Sequence, residues 1–337
     1  MTTARQRQID LNITPYYHCI ARCVRRAYLC GQDKLTGKDF SHRRDWIIEQ
    51  LKRLSSIFAV NICAYAIMSN HYHVVLHVDL NRANNWTVAE IIERWNMLFA
   101  GNSLIKKYQS GELLSENEQI AINNLIEQCR NNLTSISWFM RCMNEKIARM
   151  ANAEDDCHGH FWEGRFKSQA LLDVKALLTC MVYVDLNPIR AGVSDSLDSS
   201  DFTSVQERLF TLAKKPSKFV DEKEIAQPSS LVPFSATESN DVQSIIPMPL
   251  LSYLELADAT GRAIRTDKPG YIPEHITPIL QQIGINPSSF FRVVKNYRNL
   301  FKSASGSIAQ LRQFNQNFGK KWSKGLSGSR LLYPKAA

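Results

Sequence analysis

The chain has no apolar run near the ~18 residues that a membrane-crossing helix needs, which excludes a helical membrane protein. Its eight cysteines (Cys19, Cys23, Cys30, Cys63, Cys129, Cys142, Cys157 and Cys180) never form a Cys-x-x-Cys pair, so the common zinc and dithiol signatures are missing. The first residues, Met-Thr-Thr-Ala-Arg-Gln-Arg-Gln, lack the apolar core of a secretory signal. The expectation is a cytoplasmic protein with reduced thiols. No segment repeats, nothing marks a general base for activating water, and no acidic residue follows Glu274.

That last absence shapes the charge. The net charge is +9, and all of it lies in Leu250–Ala337, where thirteen Lys and Arg stand against four Asp and Glu. Residues 1–249 balance at zero. A one-sided field of this kind attracts polyanions such as nucleic acid; the plainer reading is a solubilising basic tail. At 337 residues, 44% hydrophobic and 22% charged, the chain can bury a full core and fill two domains.

What is present starts with Met68-Ser-Asn-His71-Tyr-His73-Val-Val-Leu-His-Val78. Side chains at i and i+2 of a strand share a face, so His71 and His73 stand side by side, and Tyr72, Val74, Leu76 and Val78 form the buried face. A second segment, Tyr183-Val-Asp-Leu-Asn187-Pro-Ile-Arg190, puts Tyr183 and Asn187 on one face of a helix. That helix has Asp173 as N-cap and is expected to stop at Pro188. Pro15–Val24 reads as a first strand with His18, Ile20 and Arg22 on one face. His42–Phe58 reads as an amphipathic helix and residues 60–78 as two strands. Residues 85–100, 115–132 and 138–152 read as further helices. A Pro/Ser-rich linker at 215–249 then separates a catalytic region, 1–214, from a basic, mainly helical module, 250–337.

Two imidazoles on a strand can hold a divalent ion, an amide oxygen such as that of Asn187 can complete a mixed N/O site, and Tyr183 one turn away can act as a covalent nucleophile. Each piece is weaker alone. A lone His-x-His pair is more often solvated or satisfied than metal-bound, and a lone tyrosine on an amphipathic helix is more often core. Arg190 serves equally well as a phosphate clamp or a helix-end cation. Cys157-His158-Gly-His160 has no second pair nearby and reads as a loop, and His77 reads as structural.

Taken in order, four segments resemble the REP-associated tyrosine transposases, of the single-tyrosine HUH transposase family. They are Tyr17-His18 with Arg22, Met68-Ser-Asn-His71-Tyr-His73, Phe161-Trp-Glu-Gly-Arg165-Phe-Lys167-Ser, and Tyr183-Val-Asp-Leu-Asn187-Pro-Ile-Arg190-Ala-Gly. The match covers roughly residues 14–195 and is specific as a set. The resemblance implies an α+β fold: a ferredoxin-like antiparallel sheet, helices on one face and the histidines on the other. It implies Mg²⁺ or Mn²⁺ held by His71, His73 and Asn187, and Tyr183 attacking single-stranded or hairpin DNA to leave a 5′-phosphotyrosine. His18, Arg22, Arg165, Lys167 and Arg190 are the DNA contacts it implies, in a nucleoid-associated cytoplasmic protein without membrane partners. A homodimer and a monomer are both open.

Two departures stand out. Ser69 replaces a proline common in relatives, and residues of about 82–135 form a helical insertion suited to a lid, a dimer contact or a hairpin guide. Phe290, Phe291, Tyr297 and Trp322 in the basic module are candidates for stacking on unpaired bases. The alternative to an enzyme is a non-catalytic, hairpin-specific regulator derived from such a transposase, which would bind without metal and tolerate Tyr183→Phe.

Overall fold

The computed structural model describes residues 8–24, 29–33, 37–214, 225–236, 244–265, 273–320 and 324–334. In chain order they form β1 (Tyr16–Arg22), α1 (Arg43–Ile57), β2 (Val60–Ile67), β3 (His71–Val78), α2 (Leu80–Asn84), α3 (Val88–Asn96), α4 (Ser103–Gln109), α5 (Glu116–Leu133) and α6 (Ile136–Glu154). Next come β4 (Lys167–Leu171), α7 (Val174–Asp185), α8 (Asn187–Arg190), α9 (Ser204–Ala213), β5 (Phe234–Ser235), β6 (Ile246–Pro247) and α10 (Leu250–Ile264). The rest are α11 (Ile276–Gln282), α12 (Pro287–Lys295), α13 (Tyr297–Leu300), β7 (Ala304–Ser305), α14 (Ile308–Asn317) and α15 (Leu326–Leu332). Trp322 and Lys268 lie outside the described residues, as do residues 215–224 and 237–243 of the 215–249 linker. Among the described residues no helix is long and apolar enough to cross a membrane.

The main sheet is mixed and mostly antiparallel, in the order β2-β3-β1-β4-β7. β1 is antiparallel to both β3 and β4, and only the two-residue β7 joins β4 in parallel. Register decides which side chains meet. Residues opposite one another on antiparallel strands share a face. Arg22 lies opposite His71, Ile20 opposite His73 and opposite Lys167, and His18 opposite Val75 and opposite Gln169. One face of three strands therefore carries the whole polar set.

The expected alternation along β3 does not hold. Every residue from Tyr72 to Val78 is buried, because the histidine face is itself covered. Val75 belongs to a core that includes Leu177, Leu178, Met181 and Tyr183 of α7. Helices therefore occupy the face that sequence alone leaves to the histidines. Pro188 does not stop the helical path either: it sits in the first turn of α8, where its missing N–H costs nothing.

The chain divides into two compact units: Met1–Arg44 with Ile62–His77 and His160–Ala337, and Asp45–Asn61 with Val78–Gly159. The boundary differs from the composition-based one, since residues beyond 250 share a core with α7. The apolar side of α10 supplies Leu250, Tyr253, Leu254, Leu256 and Ala257 to it. Gly261 lets the helix approach closely: a Cβ there would come within 3.2 Å of Ile189 and of Leu186. Asp185, fully buried, accepts from Tyr253 Oη at 2.5 Å, Ser204 Oγ at 2.5 Å and the Val205 amide at 3.1 Å, tying α7 to α9 and α10. The excess positive charge of the segment marks its surface and not a separate fold.

The other unit is helical and locally specified. Capping boxes start α3 (Thr87 with Glu90) and α5 (Ser115 with Glu118). Arg130 on α5 donates to the carbonyls of Ala83 and Trp86, satisfying the end of α2, and Trp95, Phe99 and Trp138 pack edge to face and tilted.

Candidate active site

Strands β1, β3 and β4 and helices α7, α8 and α13 converge on a cavity of about 500 Å³ lined by His71, His73, Tyr183 and Asn187. The same walls carry five cations, Arg22, Arg165, Lys167, Arg190 and Arg298, against one carboxylate, Glu163. All belong to the sheet-containing unit. The histidine rings stand 4.9 Å apart, and the Tyr183 ring lies 5.8 Å from that of His73, edge to face. Tyrosine and histidines thus meet within one chain.

The hydrogen bonds orient both imidazoles. His71 Nδ1 lies 2.6 Å from Asn70 Oδ1, which only accepts, so Nδ1 carries the proton and Nε2 keeps its lone pair. His73 Nδ1 lies 2.8 Å from His18 Nε2, and His18 Nδ1 lies 3.3 Å from Gln169 Oε1. That oxygen also accepts from Tyr297 Oη at 3.0 Å. With Gln169 as acceptor, His18 Nδ1 holds a proton, its Nε2 accepts, and His73 must donate through Nδ1. Nε2 of His73 is then left as a lone pair beside that of His71.

Electrostatics keeps these rings neutral. Burial pushes His18 down to about 4. Burial, then the charges of Arg22 and Arg298, lowers His71 to about 4. His73 is held well below its ordinary range by burial first and by its histidine and arginine neighbours second. Neutral imidazole is the ligating form.

The sequence-predicted residues fall into three groups. His71, His73, Tyr183, Asn187, Lys167, Arg165, Arg22 and Arg190 come together in the cavity. Within it, several cations are already engaged: Arg22 Nε pairs with Glu163 at 3.5 Å, and Arg190 donates to Asn187 Oδ1 at 3.4 Å and to the Lys295 carbonyl at 3.2 Å. Arg190 also lies 4.4 Å over the Tyr183 ring. Asn187 gives its Nδ2 to the carbonyls of Tyr183 and Val184, which turns Oδ1 toward Arg190. His18 differs from the expectation: it is 3% exposed and bonded to His73, so in this structure it orients a neighbour. Phe290 and Tyr297, expected to stack on bases, are core residues with 0% and 1% exposure. His77 contacts Tyr16 and Ser244, a structural position.

Sequence reasoning missed Gln169 and Arg298, and gave Tyr297 a base-stacking role instead of its place against Tyr183. Gln169 had a signal: it lies two residues beyond Lys167 in a segment that alternates as a strand. Tyr297 packs face to face on Tyr183 at 4.7 Å, and nothing in local spacing announces a contact so distant in the chain.

Two Nε2 lone pairs on one face suit a divalent ion, and Asn187, whose Oδ1 also accepts from Arg190, lines the same cavity. Among the described residues no group of three or more His, Cys, Asp or Glu stands together.

No protein-family model matches the chain, and no curated protein matches it. Among solved structures, a REP-associated tyrosine transposase bound to a REP hairpin aligns at 11% identity and a TM-score of 0.38, covering 68% of this chain and 96% of that one. A superposition this loose establishes neither fold nor activity, and the assignments below rest on the residues.

Proposed function

We propose that this protein is a metal-dependent transposase or endonuclease that cuts and rejoins single-stranded, hairpin-flanked DNA through a 5′-phosphotyrosine. The observation that carries the reading is the meeting of Tyr183 with an oriented, neutral histidine pair in a cavity walled by cations. The strand order β2-β3-β1-β4, with α1 between β1 and β2 and helices between β3 and β4, supports the ferredoxin-like form of the fold.

In this mechanism Tyr183 Oη forms a bond to the scissile phosphorus. The phosphorus–O3′ bond breaks in line, the phenol proton passes to solvent, and the 3′-oxygen leaves as a hydroxyl. Attack by that hydroxyl on the phosphotyrosine reverses the balance and rejoins a strand without ATP. His71, His73 and Asn187 would hold Mg²⁺ or Mn²⁺, which supplies Lewis-acid neutralisation of phosphoryl charge. Arg165 and Lys167 position the backbone without reading sequence. The packing of Tyr297 and Arg190 on the two sides of Tyr183 fixes the phenol's direction.

One observation favours a second reading. Tyr183 is only 3% exposed, as befits a core residue of a hairpin-binding regulator that no longer cuts. The deciding experiment incubates the full chain with labelled hairpin DNA from the flanks of its own gene, with Mg²⁺ or Mn²⁺. An SDS-resistant adduct, lost with chelator and in Tyr183→Phe, supports the enzyme. Tight binding without an adduct, unaffected by chelator, supports the regulator.

A further inference from the structure

The stretch 295–305 is fastened to the elements around the cavity near both of its ends. The Lys295 carbonyl accepts from Arg190, Tyr297 Oη donates to Gln169, and the carbonyls of Ser303 and Ser305 accept from the amides of Ala170 and Leu172 at 2.9 and 2.8 Å. Gly306 permits this approach, since a Cβ there would come 2.7 Å from Leu172 Cβ. This anchoring places two side chains at the reaction cavity.

Arg298 is exposed and lines the main cavity. It also lines a second hollow of about 150 Å³, shared with Lys167, Tyr183, Tyr297 and Lys302. Among the described residues no hydrogen bond or ion pair holds its guanidinium, whereas Arg22 and Arg190 are engaged. Its charge nevertheless reaches both His71 and His73. An unpaired planar cation beside the nucleophile has the geometry to take a phosphate through two donors. Tyr297 touches both halves of the site: its ring packs on Tyr183, and its hydroxyl holds the Gln169 oxygen that orients His18.

Resting on the function proposed above, we propose that Arg298 binds a phosphate of the DNA strand beside the histidine pair and that Tyr297 positions Tyr183. The bland alternative is a solvated arginine next to a core tyrosine, and the two differ in what they do to kinetics.

The test uses the full chain with the labelled hairpin oligonucleotide. It compares Arg298→Gln, Arg298→Lys, Tyr297→Phe and Lys146→Gln, the last an exposed cation of the other unit. Thermal melting checks each fold. Arg298→Gln is expected to raise half-saturating DNA by about tenfold and to flatten the salt dependence of binding by about one unit of log–log slope. Arg298→Lys recovers part of the affinity, and Lys146→Gln changes neither. Tyr297→Phe keeps the ring but loses the Gln169 bond, whereas Tyr297→Leu, compared beside it, removes the ring packed on Tyr183; Tyr297→Leu is expected to lower the saturated adduct rate with half-saturating DNA unchanged, and Tyr297→Phe to retain most of it. An Arg298→Gln slope equal to that of the parent overturns the phosphate contact. A Tyr297→Leu rate equal to the parent's overturns the positioning role, as does a Tyr297→Phe rate as low as that of Tyr297→Leu at the parent's melting temperature. If the parent forms no adduct on any hairpin, the catalytic reading and the positioning role fail together, and the salt slope alone still decides Arg298.

Discussion

The two units differ in how deeply they bury polar groups. In the helical unit many are satisfied close by in sequence, by capping boxes at Thr87 and Ser115 and by short-range pairs such as Arg130 with Glu127, and the most buried polar residues are Asp79, Gln50 and Thr134 at 5–9% exposure. In the sheet-containing unit His18, His73, Gln169, Asp185 and Arg208 are buried and held by partners distant in sequence. Burying polar groups is costly unless each is bonded, and a chain that does so repeatedly in one place is holding something in position there. The unit that spends stability on buried polar contacts is the one that contains the cavity.

Tyr183→Phe sharpens that contrast most. Adduct formation is expected to vanish while hairpin affinity stays within about twofold, because the substitution removes the nucleophile and keeps the ring. A comparable loss of binding would instead assign Tyr183 to the framework.

Asp185→Ala comes next. It leaves the Ser204, Tyr253 and Val205 donors and the Arg208 charge without their acceptor, so denaturant melts should show a loss of about 3–5 kcal/mol. Glu145→Ala in the helical unit breaks only exposed i,i+4 pairs, with Arg141 and Arg149, and should cost less than about 1 kcal/mol. Equal costs would erase the distinction between the units.

The third effect is a pH dependence in metal-free protein. His18 and His71 sit near 4 when folded and near 6.5 when unfolded, so the unfolded chain takes up protons first as pH falls. Their contribution is complete above about 6.5 and is lost as pH falls toward 4, at about 3 kcal/mol for fully buried His18. Asp185 has the opposite sign: burial raises it to about 6, so its contribution is present below about 4 and fades as pH rises through 6. Two histidines outweigh one aspartate, and the melting temperature should drop between pH 6.5 and 4. A His18→Gln variant should show a shallower drop; an unchanged slope would show that His18 is not the group responsible.

A smaller effect again is that of Ser115→Ala, which removes an exposed N-cap. It should cost about 1 kcal/mol on denaturant melting and leave the adduct rate at the parent value.

Legibility in the sequence follows the range of the interactions. Helix starts at Asp173 and Ser115 and the two strands of 60–78 are local events, written in caps and alternation. The face shared by His71 and His73 was readable from period two. The role of His18 was not, because it depends on a register that sets it diagonally from His73 and opposite Gln169. The burial of the histidine face was hidden for the same reason, since α7 covers it from another part of the chain. Charge counting placed a basic module after residue 250, but charge reports a surface and says nothing of what the apolar side of α10 packs on. Tyr297 and Arg298 lie furthest from any local signal.

The bond between Tyr297 and Gln169 joins residues 128 apart, and its consequence lies in time. Synthesis proceeds from the N-terminus at about 5–20 residues per second, so the histidines and Tyr183 leave the ribosome well before Tyr297 does. During that interval Tyr183 has been made, yet the ring that packs on it has not. Under the function proposed above, alignment of the Tyr183 phenol waits until Tyr297 has emerged and docked, so strand cleavage lags the appearance of the residues proposed to carry it.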